Sequence, residues 1–72
     1  MKVSISVIGL GYIGLPFALL LNKNGYNVDG VDKNKHKIKE LSNGKFRSGE
    51  NEINKIYKLV RKNKSINFTT KL

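Results

Sequence analysis

The chain has 72 residues, a formal net charge of +9 and no cysteine. This length allows at most one small domain or part of one, and a hydrophobic fraction of 39% excludes a disordered polypeptide. The absence of cysteine excludes disulfides and thiolate metal sites, and the lone His36 gives no basis for any other metal site. Such a composition fits a reducing compartment, and we expect a cytoplasmic location.

An uncharged stretch covers residues 3–22, between Lys2 and Lys23. Its length is that of a membrane span or a signal peptide. Its centre, however, contains residues that destabilise a helix, namely Gly9, Gly11, Gly14 and Pro16. Ser4 and Ser6 also alternate with apolar neighbours, which is typical of a strand. We therefore predict no membrane partner.

The first half of the chain predicts a strand, a helix and a second strand. Residues 2–8 alternate polar and apolar side chains, which indicates a strand. From Tyr12 the period becomes that of a helix, which ends at Asn24 and Gly25. The apolar face of this helix consists of Ile13, Phe17, Leu20 and Leu21. Residues 27–32 form the second predicted strand.

A second helix is predicted over residues 33–43. Ile38 and Leu41 are expected to point inward, and Gly44 provides the residue that ends the helix.

A loop, a third helix and a short strand complete the prediction. The loop covers residues 45–49, the helix 51–64 and the strand 65–70. The apolar positions of this helix are Ile53, Ile56, Tyr57 and Val60. The order β-α-β-α-α-β predicts an α/β protein, a partial Rossmann fold with a parallel sheet and right-handed crossovers.

A glycine-rich motif joins the first predicted strand to the first predicted helix. It reads Gly-Leu-Gly-Tyr-Ile-Gly and matches the dinucleotide-binding fingerprint. Gly9 permits the tight turn, Gly11 lets a pyrophosphate approach the backbone, and Gly14 lets the helix pack close to the sheet. The N–H groups of Tyr12 and Ile13, together with the helix dipole, would hold the negative charge. The alternative is a plain glycine-rich turn.

Asp32 ends the second predicted strand, at the place where a dinucleotide site carries an acid. A carboxylate there accepts hydrogen bonds from the adenine ribose and repels a 2′-phosphate, so we predict NAD rather than NADP. Two alternatives stay open. Lys33 and Lys37 could attract a 2′-phosphate, and Asp32 could cap the helix that follows.

The positive charge raises the alternative of a nucleic-acid partner. A nucleic-acid module clusters basic and aromatic side chains on one face. Here the lysines are spread over separate stretches, and three aromatic residues lie apart in the sequence: Phe46, Tyr57 and Phe68. We therefore expect no nucleic-acid partner. We also predict no catalytic residue, because His36 lies on a solvated helix and Glu50 and Glu52 begin a helix, where the dipole favours negative charge.

The segment Val-Ile-Gly-Leu-Gly-Tyr-Ile-Gly-Leu-Pro, residues 7–16, resembles the UDP-glucose/GDP-mannose dehydrogenase family. Residues 28–32, 38–44 and 68–70 resemble the family's second strand, following helix and third strand. The motif is most like that of the members that oxidise UDP-N-acetylhexosamines, UDP-N-acetylmannosamine among them. The Glu-Pro-Gly stretch of the family appears at residues 49–51 as Gly-Glu-Asn, without the proline.

The resemblance implies NAD as cofactor, with Lys37 at a basic position near the adenosine. It implies that residues 1–72 are the N-terminal part of an NAD-binding Rossmann domain, without the catalytic and substrate domains. The family oxidises C6 of a nucleotide sugar to a carboxylate in two NAD-dependent steps through a cysteine, which this chain lacks. The expected function is that of an NAD-binding fragment of a nucleotide-sugar 6-dehydrogenase of polysaccharide biosynthesis. By itself, such a fragment turns over no UDP-sugar.

Three other functions compete with this one. The chain could be the cofactor half-domain of another Rossmann oxidoreductase, a basic nucleic-acid-binding module, or a small standalone nucleotide-binding or regulatory protein. The exposed sheet edge after the first strand argues against the last of these. An unpaired edge of so small a sheet also predicts self-association through that edge.

Overall fold

The computed structural model describes residues 3–72, which contain one sheet of three parallel strands. The strands are β1 (Ser4–Ile8), β2 (Asn27–Val31) and β3 (Ile66–Thr69), with β2 in the centre. The register aligns Ile5 with Val28, and Val28 with Ile66. The predicted α/β class and parallel sheet are confirmed. The first residue of the predicted strand, Lys2, lies outside the described residues.

Three helices connect the strands: α1 (Gly14–Lys23), α2 (Lys35–Asn43) and α3 (Asn51–Val60). The predicted element order is confirmed, and Gly44 ends α2 in the left-handed region, with φ of 75°. The prediction that the third helix extends to residue 64 is wrong. The backbone N–H of Asn63 donates to the carbonyl of Val60 over 2.8 Å, and its side-chain amide donates to Asn22 Oδ1 over 2.9 Å. The second bond joins two residues that lie far apart in the sequence, and the periodicity of a helix gives no information about such contacts.

The two faces of the sheet differ in polarity. The register places Ile5, Val7, Val28, Ile66 and Phe68 on one face, where the helices cover them. Right-handed crossovers between neighbouring parallel strands place the connecting helices on this one side. The opposite face exposes Ser4, Ser6, Ile8, Asp29 and Asn67. The single core therefore lies between one face of the sheet and the three helices.

The face of α1 that packs on the sheet is not the predicted apolar face. The buried residues are Leu15, Ala18, Leu19 and Asn22. Of the four predicted residues, Ile13, Phe17 and Leu20 are 85%, 54% and 42% exposed, and only Leu21, which is half-buried, packs against the core. Because α1 is apolar on nearly every side, two different faces have the spacing of a buried helical face. The face with the small Ala18 lets α1 approach the sheet more closely than the face with Phe17 would. Ile13, Phe17 and Leu20 thus form an outward apolar stripe, the α1 stripe.

Asn22 is the buried polar residue of the described core, with 3% of its surface exposed. Its side-chain amide donates to Tyr26 O and Ser65 Oγ, both over 2.9 Å, and its Oδ1 accepts from Asn63. A buried amide left without partners would be costly, but these bonds use both of its donors and one acceptor. Asn22 therefore ties the end of α1 to the start of β2 and to the α3–β3 connection.

Of the helices within residues 3–72, none combines the length and the hydrophobicity that a membrane crossing requires.

Candidate cofactor site

The glycine-rich loop leaves β1 at Gly9, whose φ of 92° lies in the left-handed region. The Gly9 N–H donates to the carbonyl of Val31 over 2.8 Å, so the loop leaves the sheet beside the end of β2. A side chain at this φ would be strained, which gives Gly9 the turn role that the motif predicts.

The other two glycines of the motif differ in their surroundings. A Cβ built on Gly14 would overlap the carbonyl group of Gly9, and it would lie 3.7 Å from Val7 Cγ1. Only a glycine therefore lets α1 begin so close to the loop and to β1. A Cβ on Gly11 would meet no atom within 4 Å. The fold therefore does not require a glycine at Gly11, and the space beside its backbone is open to a ligand.

The first turn of α1 presents its backbone to solvent. The Leu15 N–H donates to Gly11 O over 3.1 Å, whereas within residues 3–72 the N–H groups of Tyr12 and Ile13 have no backbone acceptor. The side chains of Tyr12 and Ile13 are exposed as well. Unpaired N–H groups at a helix start carry partial positive charge and bind anions. The geometry can therefore hold a phosphate at this end of α1.

Asp32 follows β2 directly and connects it to the glycine-rich loop. One carboxylate oxygen accepts from the Leu10 N–H over 2.8 Å, and the other accepts from the Asn34 N–H over 2.9 Å. The N–H of Asn34 and then that of Leu10 hold the pKa of Asp32 below its ordinary value of 3.8. Each oxygen keeps a lone pair for a further donor, so the ionised carboxylate retains capacity for a ribose hydroxyl.

The alternative that Asp32 caps the next helix is wrong. Asn34 caps α2, since its side chain accepts from the Lys37 N–H over 3.0 Å. The Lys37 side chain points back to the glycine-rich loop and donates from Nζ to Leu10 O over 3.1 Å.

A cleft of about 430 Å³ lies over the glycine-rich loop. Gly11, Tyr12 and Lys37 line it, together with Phe46 and Glu50. This volume falls in the range of small-molecule sites. Phe46 and Glu50 line the cleft because the segment between α2 and α3 passes beside the glycine-rich loop. The sequence did not predict this position of the segment, because it depends on how α3 packs.

Leu10 is a further residue of the site that the sequence did not identify. It is only 1% exposed, and its N–H and C=O bond to Asp32 and Lys37. It occupies a variable position of the fingerprint, so no residue-type pattern could single it out.

The residues that the sequence set aside as non-catalytic lie at solvent. His36 Nε2 is 3.6 Å from Glu40 Oε2, in an exposed i,i+4 pair. Glu50 is the N-cap of α3 and Glu52 lies in its first turn, as predicted. Within residues 3–72 no three His, Cys, Asp or Glu side chains converge as a metal site would require.

The chain is similar to known proteins in both sequence and structure. The model of the UDP-glucose/GDP-mannose dehydrogenase family, NAD binding domain, matches residues 3–72. A UDP-N-acetyl-D-mannosamine dehydrogenase of Methanococcus vannielii is 43% identical over 67 residues, which are 93% of this chain and 16% of that protein. The chain thus spans about one sixth of the length of this curated relative.

Two solved structures show the same fold. The native structure of the UDP-N-acetyl-mannosamine dehydrogenase Cap5O from Staphylococcus aureus superposes with a TM-score of 0.89 at 35% identity, over 96% of this chain and 17% of that one. A ternary complex of GDP-mannose dehydrogenase from Pseudomonas aeruginosa superposes with a TM-score of 0.79 at 33% identity. It covers 97% of this chain and 16% of that one.

Proposed function

The chain belongs to the UDP-glucose/GDP-mannose dehydrogenase family, and on that premise we propose that it is the NAD-binding part of an enzyme that oxidises a nucleotide sugar. NAD is the cofactor of the matched domain. Membership of this family excludes the alternative that the chain is part of another kind of Rossmann oxidoreductase. What remains to be argued is which residues hold NAD and which substrate the whole protein takes.

The glycine-rich loop is proposed to hold the pyrophosphate of NAD. Gly9 sets the turn, Gly14 brings α1 close, and Gly11 leaves the space in which the pyrophosphate would lie. Tyr12 and Ile13 would donate their backbone N–H groups, which have no backbone acceptor within residues 3–72. The support is the coincidence of free donors and open space at the start of one helix.

Asp32 is proposed to bind the adenine ribose. Its lowered pKa keeps it ionised at neutral pH, and an ionised carboxylate repels the 2′-phosphate of NADP. Lys37 is proposed to lie near the adenosine, while its bond to Leu10 O stabilises the loop beneath the cofactor. The bond to Leu10 O uses one of the three N–H donors of the Lys37 ammonium, so the preference for NAD rests on the carboxylate of Asp32.

The substrate proposal rests on the relatives. Several are UDP-N-acetyl-mannosamine dehydrogenases, and we propose a UDP-sugar of this kind as the substrate of the whole protein. Bound NAD supplies the hydride acceptor, and the sugar C6 would be oxidised to a carboxylate in two such steps. The chain contains no cysteine, so a thiol nucleophile would have to come from a separate catalytic domain. Residues 1–72 would then be the N-terminal part of the NAD-binding domain, in a cytoplasmic enzyme of polysaccharide biosynthesis.

The single observation that carries the cofactor site is the open space at Gly11, and Gly11→Ala tests it. The added methyl group meets no protein atom, so the urea midpoint should stay near that of the wild type. The methyl group would, however, occupy the space for the pyrophosphate. The affinity for NAD should therefore fall about tenfold or more, and each factor of ten corresponds to about 1.4 kcal/mol of binding free energy. Isothermal titration with NAD measures this loss.

Gly49→Ala is the matched control. A Cβ there also meets nothing within 4 Å, and Gly49 lines the same cleft but lies outside the glycine-rich loop. This variant should bind NAD nearly as well as the wild type. An unchanged NAD affinity in Gly11→Ala, or an equal loss in both variants, would contradict the proposed site.

A further inference from the structure

A second concavity of about 490 Å³ lies between the segment after α2 and the side of α3. Five of the residues that line it are basic, and none is an Asp or Glu. We call it the basic groove and define it by Lys45, Arg47, Lys55, Lys58 and Arg61. These residues belong to separate stretches of the sequence, and the fold brings them to one concavity.

Hydrogen bonds fix the two walls of the basic groove relative to each other. The Ser48 N–H donates to Asn54 Oδ1 over 2.7 Å, and the Asn54 side-chain amide donates to Ser48 O over 2.9 Å. Phe46 packs edge-on against Tyr57, with 5.6 Å between ring centroids and 77° between ring planes. These two residues, which lie apart in the sequence, therefore meet in the fold. The segment that carries Lys45 and Arg47 is thus held against α3.

The charge of the basic groove is almost unneutralised. Within residues 3–72, the ion pairs are His36–Glu40 and Lys55–Glu52, the second at 4.0 Å between exposed side chains. The helix dipole accounts for cations near the end of α3, but it does not account for Lys45 and Arg47, which lie outside any helix. Like charges that converge on one concavity repel each other, and they focus a positive potential that an anion relieves.

The volume of the groove and its basic side chains favour a small anion with several phosphate groups. Its volume is in the range of small-molecule sites, and arginine guanidinium groups match phosphate oxygens in fork geometry. Stacking of nucleic-acid bases is not supported. Tyr57 is buried, with its hydroxyl donating to Leu41 O over 2.7 Å, and Phe46 packs against its ring. We propose that the basic groove binds a short phosphoanhydride chain, such as that of a triphosphate.

This proposal is independent of the NAD site. The basic groove and the cofactor cleft share Phe46, which lines both concavities. None of the five basic residues of the groove lines the cofactor cleft. A ligand in the groove therefore needs neither the glycine-rich loop nor Asp32, and failure of one proposal leaves the other intact.

The test is a titration of the whole 72-residue chain with sodium tripolyphosphate, followed by amide NMR. The amides of residues 44–47 and 54–61 should shift. Lys55→Gln/Lys58→Gln removes two exposed charges of the groove and should weaken binding by about tenfold or more. Lys23→Gln/Lys39→Gln is the control, because it makes the same charge change at exposed positions that do not line the groove. This control should bind like the wild type.

Three results would overturn the proposal. Shifts confined to residues 11–14 would place the phosphates at the start of α1, in the NAD site. Equal weakening in both double variants would show a response to net charge alone. Tighter binding of a single-stranded oligothymidylate, with a steeper loss on added salt, would show a nucleic-acid surface instead.

Discussion

Gly11 and Gly14 belong to one loop, yet the structure gives them different constraints. The protein itself fills the space beside Gly14, whereas the space beside Gly11 is open. The conformational freedom of glycine therefore accounts for neither residue. Gly14 is required by backbone packing, and Gly11 is free to serve a ligand.

Gly14→Ala should destabilise the fold. Its Cβ would overlap the Gly9 carbonyl, which is backbone and cannot rotate away. We expect the free energy of unfolding to fall by roughly 1–3 kcal/mol or more, as for overpacking of a core. Urea denaturation of Gly14→Ala beside Gly11→Ala measures the difference. Equal stability of the two variants would contradict the packing that we describe.

Asp32 should make the free energy of unfolding depend on pH in the acid range. Its folded pKa lies below 3.8, so in acid the unfolded chain binds the proton more readily than the folded chain. The contribution of Asp32 is therefore complete above about pH 4 and is lost as the pH falls through the folded pKa. Urea midpoints between pH 2 and pH 6 should show this loss in the wild type and a smaller one in Asp32→Asn.

Asp29→Asn is the charge-matched control for that measurement, because Asp29 lies on the exposed face of the sheet. Its pH profile should follow the wild type. If Asp32→Asn retained the full acid dependence, other carboxylates would be responsible for it.

At the scale of elements, α1 shows how an apolar helix chooses its buried face. Leu19 is fully buried and Phe17 is 54% exposed, although Phe17 is the larger apolar side chain. Hydrophobic periodicity alone predicted Phe17 on the apolar face, because it records spacing and not the distance to the sheet. The chosen face contains Ala18 and Asn22, a small side chain and a polar one with buried partners.

Leu19→Ala and Phe17→Ala should separate these two faces. Leu19→Ala leaves a cavity in the core and should cost about 2–5 kcal/mol of unfolding free energy. Phe17→Ala removes a side chain from the α1 stripe and should cost well under half of that. Urea unfolding measures both. A larger cost for Phe17→Ala would mean that α1 packs through the face that the sequence predicted.

At the scale of the whole sheet, both edge strands within residues 3–72, β1 and β3, lack a partner strand on one side, and the hydrogen bonds of β1 show which of its backbone groups are free. Val3 O accepts from Asn27 N–H, and Gly9 N–H donates to Val31 O, so odd-numbered residues of this segment bond to β2. In a parallel ladder the residues between them direct their backbone groups to the other edge, which gives Ser4, Ser6 and Ile8 free donors and acceptors. Such an edge favours pairing with another copy.

Self-association through that edge stays a prediction, and Ser6→Pro tests it. Proline removes the Ser6 N–H from the free edge without removing a bond to β2. Sedimentation velocity of the wild type should show association that increases with concentration, whereas Ser6→Pro should associate less at every concentration. Ser6→Ala keeps the N–H and should associate like the wild type. Equal association of the alanine and proline variants would exclude the β1 edge as the contact.

The sequence by itself determined the features that depend on neighbouring residues. The turn at Gly9, the end of α2 at Gly44 and the β-α-β-α-α-β order follow from local backbone chemistry and side-chain period. The family was recognisable for the same reason, because the fingerprint is one continuous segment. Local signals of this kind remain readable without knowledge of the fold.

Tertiary structure decided the features that depend on contacts between distant residues. It selected the buried face of α1, ended α3 at Val60 through the bond of Asn63 to Asn22, and brought Phe46 to both concavities. It also gathered Lys45 and Arg47 beside the basic residues of α3. The distance at which the elements pack decides which of two apolar faces is buried and which charges come together. Neither the periodicity nor the composition of the sequence specifies that distance.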